Sequence, residues 1–137
     1  ALGAEVIPMY ISPDGININE NCGSTHTENL QREVIAHKAD IGIAHDGDAD
    51  RCLEVTEKGE IIDGDRILLI CALLMKSQNK LKDNTVVTTV MSNLGFHKAA
   101  NEYGLSLEVT SVGDRYVLEK MKDSFITSVL KLLCFFN

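Results

Sequence analysis

Asp46, Asp48 and Asp50 stand at alternate positions in "IAHDGDADR" (residues 43–51), with no base among them and Arg51 directly after. In an extended loop, residues at i, i+2 and i+4 point the same way. Three carboxylates would then converge, and they repel unless a cation sits between them. Oxygen-only donors suit a hard ion, Mg2+ or Ca2+. Three carboxylates leave coordination positions free, and Mg2+ commonly fills such positions with a phosphate. Arg51 adds a fixed positive charge that can take a phosphate in bidentate fashion. It serves equally as a countercharge for the acidic loop. The arrangement suits phosphoryl transfer, where positioning and charge neutralisation do most of the work. The plain alternative is an exposed acidic turn that binds no ion.

A calcium loop of the EF-hand type is excluded. Counted from Asp46, Glu57 falls at the twelfth position, but the sixth is Arg51, where the sharp turn needs glycine. The flanking runs "DIGIA" and "CLEVTEKGEII" are strand-like, whereas that loop joins two helices.

The elements that carry this loop follow from periodicity. "EVIPMYI" (residues 5–11) reads as a short strand despite Pro8. Residues 12–28 form a long polar loop rich in Asn and Gly. Leu30, Val34 and Ile35 give a helix over residues 28–38. "ADIGIAHD" is a buried strand that delivers the aspartates at its carboxyl end, where open α/β sheets place ligands. "CLEVTEKGEII" is a hairpin turning at Lys58-Gly59. Asp63 or Asp65 caps a helix over residues 66–80. A strand in "NTVVTTVMS", a helix ending at Gly104, a strand in "LSLEVTSVGD" and a helix in "RYVLEKMKD" complete the alternation. The predicted class is α/β: a three-layer domain with a mixed, mostly parallel sheet flanked by helices.

The totals set limits. The 137 residues suffice for one domain, and 45% hydrophobic residues can build a core. A net charge of -7 argues against a nucleic-acid binder, which needs a basic face. No apolar run reaches the ~18 residues of a membrane helix. Cys22, Cys52, Cys71 and Cys134 lack metal-site spacing and read as free thiols of a reducing cytoplasm. His26, His37, His45 and His97 take structural or surface roles.

"AHDGDADRC" resembles the metal-binding loop of the α-D-phosphohexomutases. "PDGININENCGSTHTENLQ" (residues 13–31), "DGDRIL" (63–68), "TVMSNLGF" (89–96) and "TSVGDRYVLEKM" (110–121) are similar, in the same order, to the phosphoglucosamine mutase branch of that family. The resemblance implies a cytoplasmic enzyme of cell-wall precursor synthesis that interconverts glucosamine 6-phosphate and glucosamine 1-phosphate. A phosphoserine would donate its phosphoryl group, giving a bisphosphorylated sugar that returns the other phosphate. By the same resemblance, Asp46, Asp48 and Asp50 hold Mg2+ and Arg51 sits near the phosphoserine. Gly113, Asp114 and Arg115 match a turn near the sugar phosphate, although Arg115 reads equally as a surface charge at a helix start.

The resemblance also implies a division: residues 1–104 as the family's second domain, short of its opening strand, residues 105–121 as the start of the third, and residues 122–137 as a divergent apolar tail. The family's serine loop, its third-domain sugar loop and its fourth-domain phosphate loop have no counterpart among the 137 residues. The expected partners are therefore a phosphorylated amino sugar and the remaining domains of a longer enzyme, with no nucleic acid and no membrane. The chain alone is expected to be inactive. The alternatives are part of a phosphoglucomutase or phosphomannomutase, and a non-catalytic module that binds a divalent metal.

Overall fold

Helix α1 (Glu28–His37) turns Val34 inward, and the chain leaves it through Lys38 in a left-handed conformation. Three short strands follow: β1 (Ile41–His45), β2 (Cys52–Thr56) and β3 (Ile61–Ile62). They pair antiparallel in the order β1-β2-β3, with Ala44 opposite Leu53 and His45 opposite Cys52. Alternate residues face one side, so Gly42, Ala44, Leu53 and Val55 form the buried face. The helix can lie this close because residue 42 has no side chain. A Cβ there would stand 2.5 Å from Val34 Cγ2 and 3.0 Å from Leu30 Cδ1. Gln31 Nε2 donates to Gly59 O at 2.6 Å and ties α1 to the β2–β3 turn.

The structure is a computed structural model and describes residues 3–49 and 51–123. Asp50, Cys134 and nearly all of the apolar tail lie outside the described residues.

Helix α2 (Gly64–Ser77) begins at the Asp63 cap, whose carboxylate accepts from Arg66 N at 2.9 Å. That bond satisfies one of the orphan donors of the first turn. Asp63→Ala is expected to lower the unfolding free energy by about 1 kcal/mol, read from the urea midpoint at constant slope. Asp65 does different work: its carboxylate accepts from Asn93 N at 2.7 Å, joining the start of α2 to the start of helix α3 (Leu94–Glu102). Asn93 in turn caps α3 through Phe96 N.

Strands β4 (Thr85–Thr89) and β5 (Ser106–Thr110) pair in parallel, and helix α4 (Asp114–Asp123) follows. All five residues of β4 are buried. Val86 packs with Leu68, Ala72, Phe96, Ala100 and Leu105, from α2, α3 and the residue just before β5. Its neighbour Val87 points the other way and packs with Val117 of α4. Helices therefore cover both faces of this sheet, a three-layer α/β/α arrangement. Helix α3 ends in a Schellman motif at Gly104 (φ +62), where Leu105 N reaches Ala100 O and Gly104 N reaches Asn101 O.

The α/β layering agrees with the sequence, while the strands differ in two respects. Among the described residues the strands form two sheets, one antiparallel and one parallel, rather than one mostly parallel sheet. The connection from β1 to β2 is only residues 46–51, too short for the crossover a parallel neighbour requires. The connection from β4 to β5 holds α3 and is long enough. Finally, residues 5–11 form no strand: Pro8 has no N–H to donate, and Val6 and Ile11 remain exposed.

Candidate metal and phosphate site

The acidic stretch is the connection between antiparallel β1 and β2, not a loop at the carboxyl end of a parallel sheet. It is also not extended. Ala49 N donates to Asp46 O at 3.1 Å, closing a tight turn, and Ala49 takes a left-handed φ of 58°. A chain that must reverse within six residues cannot keep three side chains on one extended face. Left-handed alanine is strained, and such strain concentrates at functional loops.

Asp46 leaves β1 with its side chain only 7% exposed. Its Oδ2 accepts from Arg51 Nε at 2.6 Å and its Oδ1 accepts from Arg51 N at 3.1 Å. The two sequence readings of Arg51 thus meet here: in this structure the guanidinium neutralises Asp46. Asp48 is exposed, and Asp50 lies outside the described residues. Among the described residues, no three His, Cys, Asp or Glu side chains gather as a metal cluster. The chemistry of the donor set still fits a hard divalent ion, since every candidate ligand is a carboxylate on one six-residue connection.

Residues 12–26 contribute more than their reading as a polar loop implies. Asn19 and Asn21 take left-handed backbone angles, and the segment folds against the end of β1. A Cβ on Gly23 would stand 3.0 Å from His45 O. A cleft results, walled by Asn19, Asn21, Cys22, His26, His45 and Asp46. The spaced Asn and Gly residues in "NINENCG" were the available signal, because these types tolerate left-handed backbone. Within this segment the Ser24 hydroxyl is buried and has no hydrogen-bond partner among the described residues. Cys52, opposite His45, is a poor nucleophile at neutral pH: burial and then the charge of Glu54 push its thiol pKa up.

Gly113, Asp114 and Arg115 lie at the other sheet, between β5 and the first turn of α4. The Arg115 side chain is 84% exposed and its Nε donates to Glu119 Oε1 at 2.7 Å, which holds the guanidinium more firmly charged. In this structure it plays the surface role. Asp46 and Arg51 are brought together, while the Gly113–Arg115 turn belongs to a different sheet.

Residues 63–129 match the family model "phosphoglucomutase/phosphomannomutase, alpha/beta/alpha domain III". That range begins where the first sheet ends, and the change of domain expected at residues 104–105 falls inside it. A phosphoglucosamine mutase of Rhodococcus jostii is 58% identical over 122 residues, 89% of this chain and 27% of the relative. One from Caldicellulosiruptor saccharolyticus is 61% identical over 120 residues, again covering 27% of the relative. The chain thus spans about a quarter of the length of these curated relatives. Among solved structures, a phosphoglucomutase/phosphomannomutase family protein from Burkholderia thailandensis superposes with a TM-score of 0.64 at 26% identity, covering 74% of this chain and 22% of that one. An N-acetylglucosamine-phosphate mutase in its apo form shares the fold at TM-score 0.57 and 20% identity, over 77% of this chain and 26% of that one.

Proposed function

Because the chain belongs to the α-D-phosphohexomutases, we propose that it supplies the Mg2+-holding segment of a phosphoglucosamine mutase. The observation that carries this reading is identity of 58–61% to phosphoglucosamine mutases across nearly nine-tenths of the chain, acidic connection included. The reaction is the interconversion of glucosamine 6-phosphate and glucosamine 1-phosphate. A phosphoserine outside these 137 residues gives its phosphoryl group to the free sugar hydroxyl, and the bisphosphate then returns its other phosphoryl group to the serine.

Asp46, Asp48 and Asp50 are the residues that would hold the ion. When bound, Mg2+ supplies charge neutralisation at the transferring phosphoryl group. The chain's own part is to fix Asp46 at the end of a paired strand and to present Arg51 as a permanent cation beside it. Gly113, Asp114 and Arg115 are proposed to face the sugar phosphate, with Arg115 leaving Glu119 to do so. Localisation in the cytoplasm follows from the phosphorylated substrate. Among the described residues, no helix is long and apolar enough to cross a membrane.

The chain alone is expected to show no turnover, because the phosphoryl donor is not in its sequence. The test is a chimera in which the 122 aligned residues of the Rhodococcus jostii relative are replaced by the matching residues of this chain. Glucosamine-phosphate mutase activity within about tenfold of the parent's, at most about 1.4 kcal/mol in barrier, is the expected result. A folded chimera active only on glucose or mannose phosphates would move the assignment to a neighbouring branch.

A further inference from the structure

Both carboxylate oxygens of Asp46 accept a hydrogen bond from Arg51. Oδ1 accepts the Arg51 backbone N–H at 3.1 Å and Oδ2 accepts the Arg51 Nε–H at 2.6 Å. The exposure is lopsided: the Arg51 side chain is 43% exposed and that of Asp46 only 7%. The guanidinium therefore lies on the solvent side and covers the carboxylate. Arginine does not shed its proton at physiological pH, so the carboxylate is uncovered by moving the guanidinium and not by titrating it.

From this geometry, and resting on the metal reading above, we propose that Arg51 and a divalent cation compete for Asp46. Arg51 is a tethered counter-cation that the ion displaces, and displacement releases the guanidinium to meet a phosphate. The rival role is that of an orienting residue, with Arg51 remaining in place and aiming Asp46 at the metal. Charge argues against it. A dication and a guanidinium on one carboxylate repel each other. Competition also couples the divalent ion to the phosphate, because the ion frees the guanidinium that the phosphate meets. By linkage, each ligand then tightens the other by the same factor.

The direct test uses the unaltered 137-residue chain, labelled with nitrogen-15 and titrated with Mg2+. The Arg51 Nε–H resonance is expected to move from a hydrogen-bonded to a solvated position, with the midpoint that calorimetry gives for Mg2+ binding. Saturable Mg2+ binding with that resonance unmoved overturns the competition and leaves the metal reading standing. A second arm measures Mn2+ affinity by electron paramagnetic resonance. Arg51→Gln is expected to bind Mn2+ about tenfold more tightly, within the usual span of coupling between ligands. Weaker binding by a folded Arg51→Gln chain would make Arg51 an orienting residue and overturn the proposal. No saturable binding of either ion to either chain would remove the metal reading itself, and the competition with it.

Discussion

Asp46→Asn, placed in the chimera with the Rhodococcus jostii relative, is expected to lower kcat/KM roughly a thousandfold. A bound metal contributes several kcal/mol of charge stabilisation to a transferring phosphoryl group, and each 1.36 kcal/mol is tenfold in rate. Asparagine keeps the shape and one acceptor oxygen of the side chain, so the loss falls on charge. The fold should survive, because Arg51 is 43% exposed and its released guanidinium can be solvated by water. Thermal melting within a few degrees of the parent chimera, measured alongside the kinetics, separates the two effects. Asp83→Asn is the charge control: that residue is exposed in the 3-10 turn before β4, and its loss should leave the rate unchanged. A loss below tenfold for Asp46→Asn would show that Asp46 is not a ligand and serves only to hold Arg51.

Local signals in the sequence carry most of the elements. The Asp63 cap, the Gly104 terminator and the short apolar or alternating runs that became β1, β2, β4 and β5 are written in residue types a few positions apart. Pairing is less legible, because it depends on connection length and on what covers each face. The six residues between β1 and β2 were enough to exclude a parallel neighbour, and counting them gives the antiparallel hairpin. Once the hairpin is drawn, residues 46–49 form a turn rather than an extended loop.

The candidate site shows the same division. Alternating aspartates followed by an arginine are visible in the sequence, and so is the chemistry they suit. Which aspartate meets Arg51 is a matter of turn geometry. Asp46 is buried at the end of a paired strand, whereas Asp48 sits at the tip of the turn in solvent. The cleft beside them is not periodic at all. It depends on Asn19, Asn21 and Gly23 bending a polar segment back onto His45, a contact between residues more than twenty positions apart.

Phe96→Ala is expected to lower the unfolding free energy of the α2–α4 layer by about 3–5 kcal/mol. Phe96 is 3% exposed and fills the space between Leu68 and Ala72 of α2 and Val86 of β4. Removing the ring forfeits its transfer free energy and leaves a cavity that these neighbours, fixed on two helices and a strand, cannot close. With total stabilities of about 5–15 kcal/mol, a large share is lost. For a layer of this size each kcal/mol moves Tm by about 4–8 °C, so calorimetry should record a fall of at least ~12 °C. Phe96→Leu keeps most of the volume and should lose no more than about 1.5 kcal/mol. The Asp46 connection belongs to the other sheet, and among the described residues the core cluster that holds Phe96 contains no residue of β1, β2 or β3. Mn2+ affinity at 10 °C, below the transition of the variant, should therefore match that of the unaltered chain. A variant that loses stability and metal affinity together would show that the two sheets fold as one cooperative unit and that the acidic connection takes its shape from both.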